Sequence, residues 1–211
     1  MFGCTVIGAA IHCTDMAGFP SPFNRGGTNE GLFDGYDEFV ADHIPRPGSH
    51  LTDHDVLTGT DHLAFHRLTR ELFEERKVYD MTFNYNLAQL NLDTRHPNAG
   101  YRYARDAADP SVLHAEFTPT TPFCPQTHTL TIGSFRAWNG LADRHEFDLV
   151  RVHAADMHHQ SEAINEQLDT LAETYLETGS VEGDLDSIGA NPLERSMDAE
   201  TPSRGTSESP F

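Results

Sequence analysis

Hydrophobic residues fall into a readable pattern from Asp61 onward. In "DHLAFHRLTRELFEERKVYD", Leu63, Leu68, Leu72 and Phe73 recur near every third or fourth position, which predicts an amphipathic helix with Asp61 as its N-cap. "NYNLAQLNL" alternates like a short strand. "YRYAR" and "VLHAEFTPT" predict two more, joined by "DAADP" with the turn chemistry of a hairpin. After Cys124, the set Leu130, Phe135, Trp138 and Leu141 predicts a second helix. "EFDLVRVHA" then alternates as a strand, and "SEAINEQLDTLAETYLETG" carries Ile164, Leu168, Leu171 and Tyr175 on one helical face with Gly179 as a stop. The expected fold is a two-layer α/β domain over residues 61–178, with a mixed sheet of about four strands and three helices in the order α-β-β-β-α-β-α.

The flanks read differently. Residues 1–60 are rich in Gly, Pro and Asp, and their periodic island "GLFDGYDEFVADH" predicts a short helix near 31–42 docked on the core. Beyond Gly179 the chain is Ser, Gly, Glu and Asp with few apolar anchors, which predicts a disordered, solubilising acidic tail over 179–211. The opening "MFGCTVIGAAIHC" lacks a preceding cation and is too short to span a bilayer, so neither a signal peptide nor a membrane helix is expected. Met16 is an alternative start, which would remove Cys4 and Cys13.

Charge narrows the classes of partner. Thirty-three acidic residues stand against fourteen basic ones, for a formal charge of -19, and Lys77 is the sole lysine. Such a chain repels nucleic acid and anionic membranes. It suits a cytoplasm of molar salt, where screening shortens self-repulsion to a few ångströms, so a halophilic, cytoplasmic protein is expected. Cys4, Cys13 and Cys124 lack the spacing of a disulfide framework or a two-plus-two zinc site, which fits a reducing compartment.

Cys124 carries the sharpest chemistry. In "FTPTTPFCPQTHT" it follows an extended Thr/Pro run, and Pro125 suits the first position of a helix. A thiol at a helix start meets unpaired amides and the positive end of the dipole, which favour thiolate. The plain alternative is a buried cysteine acting as a small hydrophobe. His128, four residues on, shares a helical face with Cys124, and His158 and His159 precede the last helix. A thiolate with one or two of these imidazoles is a candidate zinc or ferrous site, or a nucleophilic pair. A lone thiolate cannot house an iron-sulfur cluster, which takes about four protein ligands, so any cluster handled here is held transiently.

Two stretches together resemble the iron-sulfur cluster assembly domain family, whose members include cytosolic adaptors that target clusters to clients and accessory subunits of phenylacetate ring-hydroxylating complexes. The family's strand-ending Thr-Pro-Thr-x-Pro-x-Cys run is matched by Thr118, Pro119, Thr120, Pro122 and Cys124, with Thr121 and Pro125 in the same loop. Its later helix opening is matched by His158, Ser161, Glu162, Ile164, Asn165, Gln167 and Leu168, and "VYDMTFNYNLAQLNL" is similar to its upstream Val-Tyr-Asp stretch. Met81 and Thr82 replace Pro-Glu there, which marks a diverged branch.

The resemblance implies a non-enzymatic assembly or delivery factor with Cys124 as the functional thiol. It implies no tightly bound cofactor, an iron-sulfur scaffold or client as partner, and a homodimer contact as a further option. Asn165 and Gln167 are then expected to tie the last helix to the Cys124 loop. Two alternatives remain open. One is a thiol- or metal-dependent enzyme using Cys124 with His128 or His158, and the other is an accessory subunit of a multi-component oxygenase.

Overall fold

The computed structural model describes residues 31–182. The expected tail beyond Glu182, Cys4, Cys13 and Met16 lie outside the described residues. A four-stranded sheet in the order β1-β4-β5-β6 forms from Asp55–Val56, Gly100–Arg105, Val112–Thr118 and Leu149–Ala154. The β1–β4 and β4–β5 pairs are antiparallel, and β5–β6 is parallel. Two-residue strands β2 (Tyr79–Asp80) and β3 (Tyr85–Asn86) pair separately. Helices α1 (Gly59–Arg76), α2 (Thr127–Asn139) and α3 (Ser161–Thr178) complete the α/β fold, with α2 making the crossover that a parallel β5–β6 pair requires.

Alternation along the strands assigns the two faces of the sheet. Tyr101 and Tyr103 of β4, Ala115 and Phe117 of β5, and Val150 and Val152 of β6 are buried beneath the helices. The centre of this core is Trp138, whose ring lies 4.9 Å from Phe73 and 5.0 Å from Tyr101. Its polar tips are paired: Trp138 Nε1 donates to Thr69 Oγ1 at 3.2 Å, and Tyr101 OH donates to Ser134 Oγ at 2.7 Å. Buried aromatic residues with polar groups generally acquire such partners.

The opposite face carries Arg102, His114, Glu116, Arg151 and His153. Residues 48–54 run across it as a strap, with His50 stacked on His153 and His54 stacked on His114. Close approach at Gly48 is essential, because its N–H donates to Glu116 Oε1 at 2.7 Å and a Cβ there would collide with that carboxylate.

Three asparagines clamp the sheet margins. Asn91 accepts from Tyr101 N and donates to Tyr101 O, both at 2.7 Å. Asn139 accepts from Val150 N at 2.8 Å and donates to Val150 O at 2.9 Å, and Asn165 treats Ala154 the same way at 2.7 and 3.0 Å. Each amide stands in for a neighbouring strand at one residue.

Several expectations need correction. The helix expected near 31–42 is replaced by turns and a bridge from Phe33 to Asp93, because Asp34 N bonds Leu92 O and the Gly and Asp residues close turns. Thr58, not Asp61, is the N-cap of α1, and Asp61 sits in its first turn. The buried face of α1 is His62, Phe65, His66, Thr69, Leu72 and Phe73, leaving Leu63 and Leu68 half-buried. The strand expected across 84–92 is only β3 followed by a 3-10 helix over Leu87–Leu92, because Asn86 Oδ1 accepts from Ala88 N and closes the backbone. The fourth strand of the sheet comes instead from Asp55–Val56, upstream of the expected domain start.

Candidate functional site

The loop after β5 gathers three stretches that are distant in sequence. Thr118 ends the strand, Pro119 is buried, Thr120 is half-buried, and Thr121, Pro122, Phe123 and Pro125 are exposed. Cys124 lies between these extremes, half-exposed and free of any disulfide. Two turns follow one another, closed by Cys124 N onto Thr121 O and by Thr127 N onto Cys124 O, both at 3.3 Å. Helix α2 therefore starts at Thr127 behind the cap Gln126, and neither Cys124 nor Pro125 occupies its first turn. The expected position at the dipole end is corrected: the second of these turns separates the thiol from the helical amides.

The loop leading into α3 holds the thiol turn in place. His158 is buried, its Nε2 lies 3.1 Å from Cys124 O and its Nδ1 receives Gln160 N at 3.3 Å. A carbonyl only accepts and an amide only donates, so His158 is the neutral Nε2–H tautomer. Burial lowers its pKa, against the opposing pull of the Cys124 carbonyl. His159 Nδ1 donates to Pro122 O at 2.8 Å, and its backbone N–H reaches the same oxygen at 3.0 Å. Gln126 joins the third stretch, accepting from Met81 N at 3.1 Å and donating to Thr82 Oγ1 at 2.6 Å.

These bonds separate the candidates. With both ring nitrogens of His158 committed to backbone groups, that side chain is unavailable as a base or ligand for the sulfur. His128 is exposed on α2 and pairs with Gln167 of α3. No described imidazole hydrogen-bonds to Cys124 Sγ, and the expected Cys124–His128 metal pair joins no three-ligand group among the described residues. Asn165 bonds Ala154 of β6 and Gln167 pairs with His128 of α2, so neither makes the expected tie from α3 to the Cys124 loop. Ser161 is half-buried at the start of α3, and Glu162 is exposed in its first turn. Phe123, next to the thiol in sequence, and Met157, next to His158, are exposed, with the Phe123 ring 5.1 Å from His159.

Sequence reasoning missed the polar face of the sheet. There the four imidazoles of His54, His114, His153 and His50 stack in a row, with ring centroids 4.0, 5.5 and 4.4 Å apart. His114 Nε2 lies 2.9 Å from Asp106 Oδ2, and its Nδ1 lies 3.3 Å from His153 Nε2. The hydrogen bond from His114, then the Asp109 and Ala108 amides, hold the Asp106 carboxyl well below its usual range. Burial lowers His114 despite that carboxylate, and it takes His153 down to about 3 with help from His50 and His114. The available signal was a histidine two residues from a charged residue in the polar phase of each of two strands, "VLHAEF" and "VRVHA".

A family model described as a domain of unknown function (DUF7998) matches residues 31–182. The chain belongs to that DUF7998 family. No curated protein and no solved structure matches it. The DUF7998 match begins at Gly31 and so takes in the strap and β1, the segments that cover the histidine row. No helix among the described residues is long and apolar enough to cross a membrane.

Proposed function

We propose that this protein assembles or delivers iron-sulfur clusters in a reducing cytoplasm, through transient ligation by Cys124. One observation carries the reading: a half-exposed thiol on a turn whose two carbonyls, Pro122 O and Cys124 O, are held by His159 and His158, beside the exposed Phe123. Such a turn presents sulfur in a defined place without enclosing it. In each exchange the Cys124 thiolate adds to one iron as another thiolate leaves it, and the thiol proton passes to solvent. The cluster is cargo, because one sulfur supplies one of about four ligands and the scaffold or client supplies the others. Exposed Phe123 and Met157 form the apolar part of a docking surface.

The test is anaerobic purification in molar potassium chloride, with iron and acid-labile sulfide measured on wild type and Cys124→Ala and with captured proteins identified. Iron, sulfide and assembly proteins should accompany the wild type and fall away from the variant. Association that persists unchanged in Cys124→Ala overturns the proposal, and capture of oxygenase subunits alone would support the accessory-subunit reading.

A further inference from the structure

We propose that His54, Asp106 and His114 form a binding site for one divalent first-row transition metal ion of the Zn2+ type. Topology brings them together. The β1–β4 register, Asp55 opposite Arg105, sets His54 across from Asp106, and the β4–β5 register puts His114 diagonally beside Asp106 on the same face. Their donor atoms lie within 4.8 Å of one another. His114 Nε2 is 2.9 Å and His54 Nδ1 is 3.5 Å from Asp106 Oδ2. Tetrahedral zinc bonds of about 2.0–2.1 Å put neighbouring ligand atoms about 3.3 Å apart, so those two spacings bracket what an ion needs once the His54 ring turns out of its stack on His114 and both lone pairs aim at one point.

The donor chemistry selects the ion. Two imidazoles and one carboxylate suit zinc, nickel, cobalt or ferrous iron, whereas calcium and magnesium need mostly oxygen and cuprous copper prefers sulfur. Asp106 and His54 are about a fifth exposed, which gives an entry path and leaves a fourth position for water. Supporting bonds are already in place. Asp106 Oδ1 is fixed by Ala108 N at 2.8 Å and Asp109 N at 2.9 Å, so Oδ2 is the oxygen turned towards the two imidazoles. When metal takes His114 Nε2, the ring proton moves to Nδ1 and is donated to His153 Nε2, whose own proton shifts to its Nδ1, giving the outer hydrogen bond that ligating histidines generally make. The Ala107 N–H now pointing at His54 Nδ1 is on an exposed residue and passes to water.

This site is independent of the thiol, since His114 and Thr118 are four residues apart on β5, about 13 Å, with Cys124 further along. The test titrates chelator-treated full-length protein with Zn2+ by calorimetry and with Co2+ by visible absorption. One equivalent should bind at micromolar concentration or tighter and raise the melting temperature by several degrees. Asp106→Asn, which keeps the Oδ1 turn, and His54→Gln should each weaken binding at least tenfold. His153→Gln, a positioning change, should weaken it by about tenfold while leaving the stoichiometry at one. Cys124→Ala and His128→Gln should bind as wild type does. Unchanged binding in folded Asp106→Asn and His54→Gln overturns the site, as does absence of saturable binding or a sulfur-to-cobalt absorption band that Cys124→Ala removes.

Discussion

Acidification should remove stability through histidines that the fold keeps neutral. His66 is buried on α1 with Nδ1 3.0 Å from the Tyr103 hydroxyl. Burial, with the Arg70 charge, takes its pKa down from 6.5 to about 4, against a backbone hydrogen bond at Ala88 that raises it. His62, one turn earlier, is lowered for the same reason, with added repulsion from His66 and Arg102. The unfolded chain binds a proton near pH 6.5 and the native one does not, so stability is lost as pH falls from 6.5 towards 4. At 1.36 kcal/mol per pH unit, His66 alone removes about 2.5 kcal/mol by pH 4.5, a sizeable share of a typical 5–15 kcal/mol. Trp138, the only tryptophan and fully buried, reports unfolding by fluorescence in guanidinium chloride. A His66→Gln variant should be less stable at pH 7 but should lose less on acidification, with a slope shallower by about 1.2 kcal/mol per pH unit between about 6 and 4.5. Parallel curves for the two proteins would refute the reasoning, since other titrating groups are common to both.

Three further outcomes are expected. Asn139→Ala leaves Val150 N and O unpaired beneath the helices and should cost about 3 kcal/mol in the same denaturation assay, while Asn139→Asp should cost more at pH 7 than at pH 4 because an ionised carboxylate would face Val150 O and Phe135 O. Gly48→Ala forces the strap off Glu116 and should lose about 1–3 kcal/mol, with hydrogen exchange rising across 46–56 before it rises in α2. Phe123→Ser should leave the melting temperature within about 2 °C, since the ring is 72% exposed, yet reduce capture of assembly partners.

Regular periodicity made β4, β5, β6 and the three helices legible, and Gly179 does stop α3 in the left-handed region at φ 70°. "NYNLAQLNL" was misleading because a single side-chain bond from Asn86 redirects the backbone, an effect that hydropathy does not encode. The turn at Cys124 was legible as a loop between strand and helix, but two successive turns postpone the helix to Thr127. His158 read as a ligand because sequence shows a ring and not its bonds; both of its nitrogens serve the backbone. The histidine row was hidden for a different reason. His50 and His153 stack across a separation of about a hundred residues, and only the registers of β1, β4, β5 and β6 bring such residues to one face.

The clamp residues on β6 also bear on what this protein avoids. β6 is an outermost strand, the place where an extended peptide or a second molecule would add itself to the sheet. At Val150 and Ala154 the hydrogen-bonding sites that an incoming strand would need are already filled by Asn139 and Asn165. Replacing both asparagines should therefore do more than loosen the fold. It should open a margin prone to fibrillar stacking, visible as thioflavin-positive aggregates that neither single replacement forms as quickly.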